Sequence, residues 1–102
     1  MNTLKSIYQS ALVGVVMLLG ACSSEPVDGA ALAVEKGCIA CHGQDGKAIA
    51  DIYPNLNGQW ERYLRLQLQA YRSEKRVNAV MYGMAKDLTD EEIRILAAHY
   101  GR

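Results

Sequence analysis

The stretch Cys38-Ile-Ala-Cys-His42 decides how the rest of this chain is interpreted. Two cysteines separated by two residues, with a histidine directly after the second, fit three kinds of chemistry. These are a zinc site, a redox-active disulfide and the covalent attachment of haem. A second pair of ligands would favour zinc, a strand before the motif would favour disulfide exchange, and a further iron ligand would favour haem.

The surrounding sequence gives little support to zinc or to disulfide exchange. A structural zinc site made of cysteines and histidines usually has a second pair of ligands, and Cys22 and His99 do not form such a pair. A thioredoxin-type motif usually lies within a βαβ unit, whereas no segment here has the alternating pattern of a strand. Both alternatives stay open, but the motif favours haem.

Cys-x-x-Cys-His is the attachment signature of c-type haem. The two thiols add to the two vinyl groups on adjacent edges of the porphyrin, so they need to lie about one helical turn apart. The histidine that follows then lies beneath the centre of the ring, where its imidazole binds iron. The motif therefore predicts that Cys38 and Cys41 attach haem c and that His42 is an axial iron ligand.

Haem iron has a second axial position, and methionine there raises the reduction potential and suits electron transfer. Beyond residue 21 the sequence contains only two methionines, Met81 and Met84, which stand close together in a predicted loop before the last helix. One of them is expected to bind iron and the other to fill apolar volume.

Residues 1–21 are predicted to be an export signal. Lys5 precedes an apolar run from Ala11 to Ala21, which is shorter than the roughly 20 residues of a membrane-spanning helix but suits the core of a signal peptide. An uncleaved anchor is the alternative. Export agrees with the haem motif, because c-type attachment takes place outside the cytoplasm.

The sequence Leu19-Gly-Ala-Cys22 resembles the lipobox of bacterial lipoproteins, in which the cysteine is lipidated and becomes the new N-terminus. Cys22 is also the odd one of three cysteines, and lipidation gives that thiol a role. The alternative is an ordinary signal cleaved one or two residues later. The predicted parts are a signal peptide (1–21), a lipidated N-terminus with a short tether (22–29) and one domain (30–102), facing the periplasm or the cell exterior.

The domain is predicted to be all-α, with a short helix, a long loop through Gly58, a middle helix, an aperiodic segment and a last helix. The last helix begins with a capping box of Thr89 and Glu92. The chain has 11 basic and 11 acidic residues, which does not indicate a nucleic-acid partner. The helices are expected at about Ala30–Lys36, Gln59–Ser73 and Thr89–Tyr100.

Particular faces of these helices are expected to be buried. The first helix has an apolar face of Ala30, Ala33 and Val34. The inward face of the last helix consists of Ile93, Leu96, Ala97 and Tyr100. The middle helix has an apolar side of Trp60, Tyr63, Leu64, Gln67, Leu68 and Tyr71, opposite a stripe of Arg62, Arg65, Arg72 and Arg76. That stripe is either a solvated face or a docking face for an acidic partner.

The chain resembles class I cytochrome c, and most of all the small bacterial cytochromes of the c4, c5 and c553 kind. The resemblance rests on four segments, CIACHGQDG, YPNLNGQWERYL, MYGMAKDLTDEEI and LAAHY, which together cover most of residues 30–100. It implies three main helices wrapped around one covalently attached haem. It also implies an electron-transfer protein that is not an enzyme.

The resemblance assigns roles to individual residues near the iron. Met81 would be the distal ligand, with Met84 as the alternative, and the carbonyl of Pro54 would accept a hydrogen bond from His42. Relatives often have proline just before the distal methionine, whereas Ala79-Val80 stand here. This departure predicts a softer loop and a more easily displaced iron–sulfur bond.

Other assignments concern the surroundings of the haem. Trp60 and Tyr63 would flank the ring, and Arg76 would meet a propionate. Leu96 and Tyr100 would pack the last helix across the first, against Ala30 and Val34. His99 stands where relatives usually have an aromatic residue, so it has either a packing or solvated role or that of an alternative ligand or pH-sensitive group.

The expected function is a membrane-tethered electron carrier with His/Met ligation, which meets redox proteins through transient contacts and is expected to be monomeric. One alternative is a cytochrome subunit fixed to a membrane or periplasmic oxidoreductase. Another is a haem sensor or peroxidase with a labile distal ligand.

Overall fold

The computed structural model describes residues 26–102 and, before them, only Gly14. The predicted export signal and the lipidation site Cys22 therefore lie outside the described residues, apart from Gly14, as does the first part of the tether. Residues 26–102 form helices and no strands, which confirms the all-α fold class. Among these residues no helix has the length and apolar character to cross a bilayer. The helices are α1 (Gly29–Glu35), α2 (Ile39–His42), α3 (Glu61–Arg72), α4 (Ala79–Ala85) and α5 (Asp90–Tyr100).

The two terminal helices begin where their capping residues predict. The Asp28 side chain accepts a hydrogen bond from the amide of Ala30 at 3.0 Å, at the start of α1. At the start of α5 the Thr89 hydroxyl accepts from the Glu92 amide at 3.0 Å, and the Glu92 carboxylate accepts from the Thr89 amide at 3.1 Å. The predicted capping box is confirmed. Such caps satisfy backbone amides that have no partner within the helix.

The face that α1 turns towards α5 differs from the prediction. Leu32 and Ala33 are buried, whereas Val34 is 51% exposed, so the expected burial of Val34 was wrong. The crossing point is Gly29, where a Cβ atom would lie only 2.7 Å from the Cβ of His99. Gly29, Leu32 and Ala33 have the i, i+3, i+4 spacing of one helix face. The apolar pattern missed the first member of this face because glycine has no side chain.

Helix α4 was not predicted, because its segment was expected to be a loop without a clear period. Its cap is Asn78, whose side chain accepts a hydrogen bond from the amide of Met81 at 2.9 Å. Asparagine is a favourable N-cap, but Gly83 lies within the helix and lowers its intrinsic helix propensity. Only Ala85 of this helix is buried, so contact with α3 gives α4 most of its tertiary support.

The core lies where α5 packs on α1 and α3. The four inward residues predicted for α5 are all buried, which confirms that face. Leu64 of α3 and Leu88, just before α5, complete the contact with them. A cavity lies beside this core, between α3, α4, α5 and the chain that follows α2. The buried core residues are Leu32, Ala33, Leu64, Ala85, Leu88, Ile93, Leu96, Ala97 and Tyr100.

Candidate cofactor site

The motif Cys38–His42 forms a single helical turn. Cys38 caps α2, and its carbonyl accepts the amide of His42 at 3.0 Å. This turn places the two thiol-bearing residues about one helical turn apart, as covalent attachment to two edges of one ring requires. Burial raises the pKa of the Cys38 thiol, which keeps it neutral near pH 7.

The imidazole of His42 is buried and held in one orientation. Its Nδ1 lies 2.9 Å from the carbonyl oxygen of Pro54. A carbonyl only accepts hydrogen bonds, so Nδ1 carries a proton and Nε2 is the nitrogen left for another partner. The lone pair of Nε2 is therefore available for a metal, and the contact with Pro54 is of the kind that fixes the orientation of a histidine ligand.

A cavity of about 240 Å³ lies beside His42. By the same measure a single water needs only about 10–15 Å³, so the space suits a much larger group. Cys38, His42 and Met81 all line this cavity, whereas Cys41 does not. The remaining lining residues are Pro54, Asn55, Leu56, Gln59, Tyr63, Leu64, Gln67, Leu68, Tyr71, Arg76, Leu96, Ala97 and Tyr100.

The two candidate distal ligands occupy different positions on α4. Met81 is partly buried and lines the cavity. Met84 is 41% exposed and does not line it. Both residues lie in a helix, not in the loop that the sequence predicted. The structure therefore brings Met81, and not Met84, to the same cavity as His42.

Of the three residues predicted to surround the haem, two line the cavity and one does not. Tyr63 and Arg76 line the cavity, and the Arg76 guanidinium donates to Gln67 Oε1 at 2.7 Å while lying 4.8 Å from the centre of the Tyr71 ring. Trp60 lies outside the cavity and is 62% exposed. It is the N-cap of α3, just before the helical periodicity begins, so the spacing that orients Tyr63 does not orient Trp60.

The arginine stripe does not form one continuous surface. Arg72 turns towards α5, where it donates to the carbonyl of Leu88 at 2.9 Å and to Asp90 at 2.6 Å. Arg76 lies beyond the end of α3 and reaches the cavity. Helical spacing placed these arginines with Arg62 and Arg65, of which Arg62 is exposed and Arg65 is partly buried on α3.

Sequence reasoning missed the contacts that hold the chain directly after His42. The Tyr100 hydroxyl donates to the carbonyl of Gly43 at 2.9 Å, and His99 Nε2 lies 2.7 Å from the carbonyl of Gln44. Burial is the main cause that raises the pKa of Tyr100 to about 12, so its hydroxyl remains a donor near pH 7. The pairs are more than 50 residues apart in sequence, and no local pattern indicates them.

Gly46 closes the same loop against the segment after Pro54. Its carbonyl accepts hydrogen bonds from the amides of Leu56 and Asn57, at 2.7 and 3.1 Å. Its φ is +81°, and a Cβ atom would lie 2.6 Å from the amide nitrogen of Asn57. Glycine is therefore required both for the backbone conformation and for the close approach. The sequence signal for this role of Gly46 was its position as the last residue of the family-like segment CIACHGQDG.

The donor set of this cavity fits an iron porphyrin. It offers the Cys38 thiol for covalent attachment, an imidazole nitrogen with a free lone pair and, from α4, a thioether sulfur. The second cysteine of the motif, Cys41, lies three residues further along and does not line the cavity. Imidazole and thioether are axial ligands of haem iron in cytochromes. The walls between them are mainly apolar side chains, which suit a flat aromatic macrocycle.

Comparison with known proteins agrees with this chemistry. The family model described as cytochrome c matches residues 26–99. The chain belongs to the cytochrome c family. The match spans the haem motif, the cavity and nearly all of α5, and it confirms the resemblance to class I cytochrome c. Membership implies covalently bound haem c and supports electron transfer as the function.

Several known cytochromes are similar to this chain. Cytochrome c-554(548) of Halomonas halodenitrificans is 48% identical over 66 residues, which cover 62% of this chain and 80% of that protein. Cytochrome c4 of Thiocapsa roseopersicina is 43% identical over 63 residues, or 62% of this chain and 32% of that protein. The thiosulfate dehydrogenase electron acceptor of Thiomonas intermedia is 46% identical over 66 residues, or 64% of this chain and 30% of that protein. The aligned part of this cytochrome thus spans about a third of the length of cytochrome c4 and of the thiosulfate dehydrogenase electron acceptor.

Proposed function

We propose that this protein is a single-haem c-type cytochrome that carries one electron at a time, with His42 and Met81 as the axial iron ligands. The observation that carries the proposal is that both residues line one cavity together with Cys38. Histidine opposite methionine saturates the iron and gives a high potential. Such a site suits electron transfer more than the binding of substrates.

When bound, the haem supplies an iron that changes its charge by one electron. The chain's own residues hold and insulate it. Cys38 and Cys41 would attach the ring at two adjacent edges, and Pro54 orients His42 through the 2.9 Å hydrogen bond. Met81 of α4 would supply the second axial ligand. Apolar side chains between these groups keep water from the iron, which favours the less charged, reduced state.

Arg76 is the residue best placed to meet a haem propionate. Its guanidinium reaches the cavity while Gln67 and the ring of Tyr71 hold it. A guanidinium pairs well with a carboxylate. Such a pairing offsets the desolvation free energy of a propionate carboxylate in a partly closed site.

The redox partners are proposed to be other electron-transfer proteins or a dehydrogenase. The similarity to a thiosulfate dehydrogenase electron acceptor supports a partner of that class. The same similarity favours, as a second candidate, a cytochrome that stays bound to an oxidoreductase as a subunit. Purification in mild detergent separates the two, because a subunit elutes with its enzyme whereas a shuttle elutes alone.

The protein is further proposed to be exported and tethered by lipid at Cys22, facing the periplasm or the cell exterior. The lipobox-like sequence before Cys22 and its status as the odd cysteine support this. Replacing Cys22 with alanine is expected to release the protein from the membrane fraction and leave haem attachment unchanged. Retention in the membrane fraction would refute the lipid tether.

The test of the proposed function is a visible spectrum of the purified protein, oxidised and reduced, with and without carbon monoxide. A c-type reduced spectrum, a weak far-red iron–sulfur band in the oxidised form and no response to carbon monoxide are expected. A response to carbon monoxide would instead indicate an exchangeable ligand, as in a haem sensor or peroxidase.

A matched pair of variants tests the choice of methionine. Met81→Ala is expected to abolish the far-red band and to allow carbon monoxide binding. Met84→Ala, on the same helix but away from the cavity, is expected to do neither. The reverse result would show that Met84 is the ligand.

A further inference from the structure

The last turn of α5 places two hydrogen-bond donors against two successive carbonyls of the chain behind the proximal histidine. Tyr100 donates to Gly43 at 2.9 Å and His99 faces Gln44 at 2.7 Å. The carbonyl of Gln44 only accepts, so His99 Nε2 carries the proton. Resemblance to known cytochromes accounts for the aromatic residue at 100, but not for a histidine at 99.

The imidazole of His99 is held on two sides. Helix α1 passes so close that a Cβ atom on Gly29 would lie 2.7 Å from the Cβ of His99. On the other side its ring meets the ring of Tyr100 edge-on, at 4.7 Å between centroids. Because the ring has little rotational freedom left, its donor is oriented towards Gln44 at little further cost in side-chain entropy.

The held segment is joined directly to the proximal ligand. Gln44 is separated from His42 by Gly43 alone, whose φ of +73° turns the chain sharply out of α2. The amide of Gly43 in turn donates to the carbonyl of Ile39 at 3.0 Å. Movement of the Gln44 carbonyl is therefore passed to the end of α2, which carries the imidazole of His42.

We propose that His99 is a positioning residue for the haem site, which holds the chain behind His42 through the carbonyl of Gln44 and so fixes the proximal imidazole relative to iron. This inference rests on the proposed function. Without the donor, the end of α2 moves more freely and water reaches the proximal side. Water favours the more positively charged oxidised iron, so the midpoint potential falls.

The test uses the haem-loaded protein and three variants. His99→Phe keeps an aromatic ring and removes the donor. His99→Gln keeps an N–H group at similar reach, and Arg94→Gln is a matched control. Arg94 lies on the same helix, is exposed and pairs with Glu91 at 2.5 Å, so its loss removes a polar contact without touching the loop.

The midpoint potential is expected to fall in His99→Phe, to return towards the wild-type value in His99→Gln and to be unchanged in Arg94→Gln. Hydrogen exchange at the Gly43 amide is expected to be about fivefold faster in His99→Phe, as the loss of one hydrogen bond of about 1 kcal/mol implies. Chemical unfolding of each variant measures the purely structural effect.

The outcomes separate this inference from the proposed function. A wild-type potential in His99→Phe, even with lowered stability, would overturn the positioning role alone. Absence of a c-type spectrum in the wild-type protein would overturn the proposed function and this inference with it. A check without any variant is the ¹⁵N spectrum of His99 in the haem-loaded protein. The Nε2-protonated ring is expected, and the Nδ1-protonated ring would refute the hydrogen bond to Gln44.

Discussion

Replacing Tyr100 with phenylalanine tests how strongly α5 holds the loop behind the haem motif. The side chain is only 6% exposed, and its hydroxyl donates to the carbonyl of Gly43 at 2.9 Å. Phenylalanine keeps the ring in the core and removes only the oxygen. The change therefore isolates one hydrogen bond from the apolar packing around it.

The expected loss is about 1–2 kcal/mol in the free energy of unfolding. The lower figure is the net value of one hydrogen bond, and the higher one includes the cost of a carbonyl left without its partner. In a domain of this size each kcal/mol lowers the midpoint of thermal unfolding by about 4–8 °C. Both values are measurable by circular dichroism on heating and in denaturant.

The matched control is Tyr82→Phe, since Tyr82 is 37% exposed on α4. It is expected to change stability by less than about 0.5 kcal/mol, as surface substitutions usually do. Equal stability of the Tyr100→Phe variant and the wild type would refute the reasoning, because it would mean that the hydroxyl contributes nothing to holding the loop.

Alkaline pH gives an independent view of the same group. Burial raises the pKa of Tyr100 from 10.0 to about 12 in the folded protein. The folded pKa lies above the unfolded value, so its contribution to stability is complete below pH 10 and is lost as pH rises towards 12. Stability of the wild type is expected to decline more steeply over this interval than that of Tyr100→Phe. If stability declined with pH equally in the two proteins, the raised pKa of Tyr100 would be contradicted.

Three further substitutions have expected outcomes that chemical denaturation measures. Thr89→Ala removes the cap of α5 and is expected to cost about 1 kcal/mol, whereas Thr89→Ser, which keeps the hydroxyl, should cost little. Glu74→Gly relieves a side chain at φ +62° and should raise stability by about 0.5–1 kcal/mol, after the greater freedom of unfolded glycine is subtracted. Gly46→Ala should destabilise strongly, because its Cβ would lie 2.6 Å from the Asn57 amide nitrogen. A neutral result there would mean that the loop rearranges at low cost.

Local signals in the sequence predicted the features that depend on neighbouring residues. The Cys38–His42 motif indicated covalent haem, since its spacing is a requirement of the ring itself. The capping box at Thr89 and the apolar face of α5 were also predicted correctly. Caps and helix faces involve residues three or four positions apart, and the sequence displays such relations directly.

Segments with a weak or misleading local pattern were predicted less well. The sequence predicts a loop where α4 lies because the segment has no clear hydrophobic period. The structure shows why the period is absent, since Ala85 is the only buried residue of this helix. The face of α1 was displaced because its first member is Gly29, which adds nothing to an apolar pattern. In both helices the deciding contact comes from another part of the chain: α4 packs on α3, and α1 packs on α5.

The sequence by itself determined the chemistry of this protein, namely the haem attachment motif, the proximal histidine as a candidate ligand and an all-α chain to surround them. The tertiary structure shows that Met81, which the family resemblance already favoured over Met84, lines the cavity. It alone decided where Arg72 and Trp60 lie, and that His99 and Tyr100 hold the loop behind His42. The reason is physical. Attachment chemistry is encoded in the identity and spacing of adjacent residues, whereas the orientation of a side chain depends on packing between segments that lie far apart in the chain, from 16 residues for Arg72 and Leu88 to 57 for Tyr100 and Gly43.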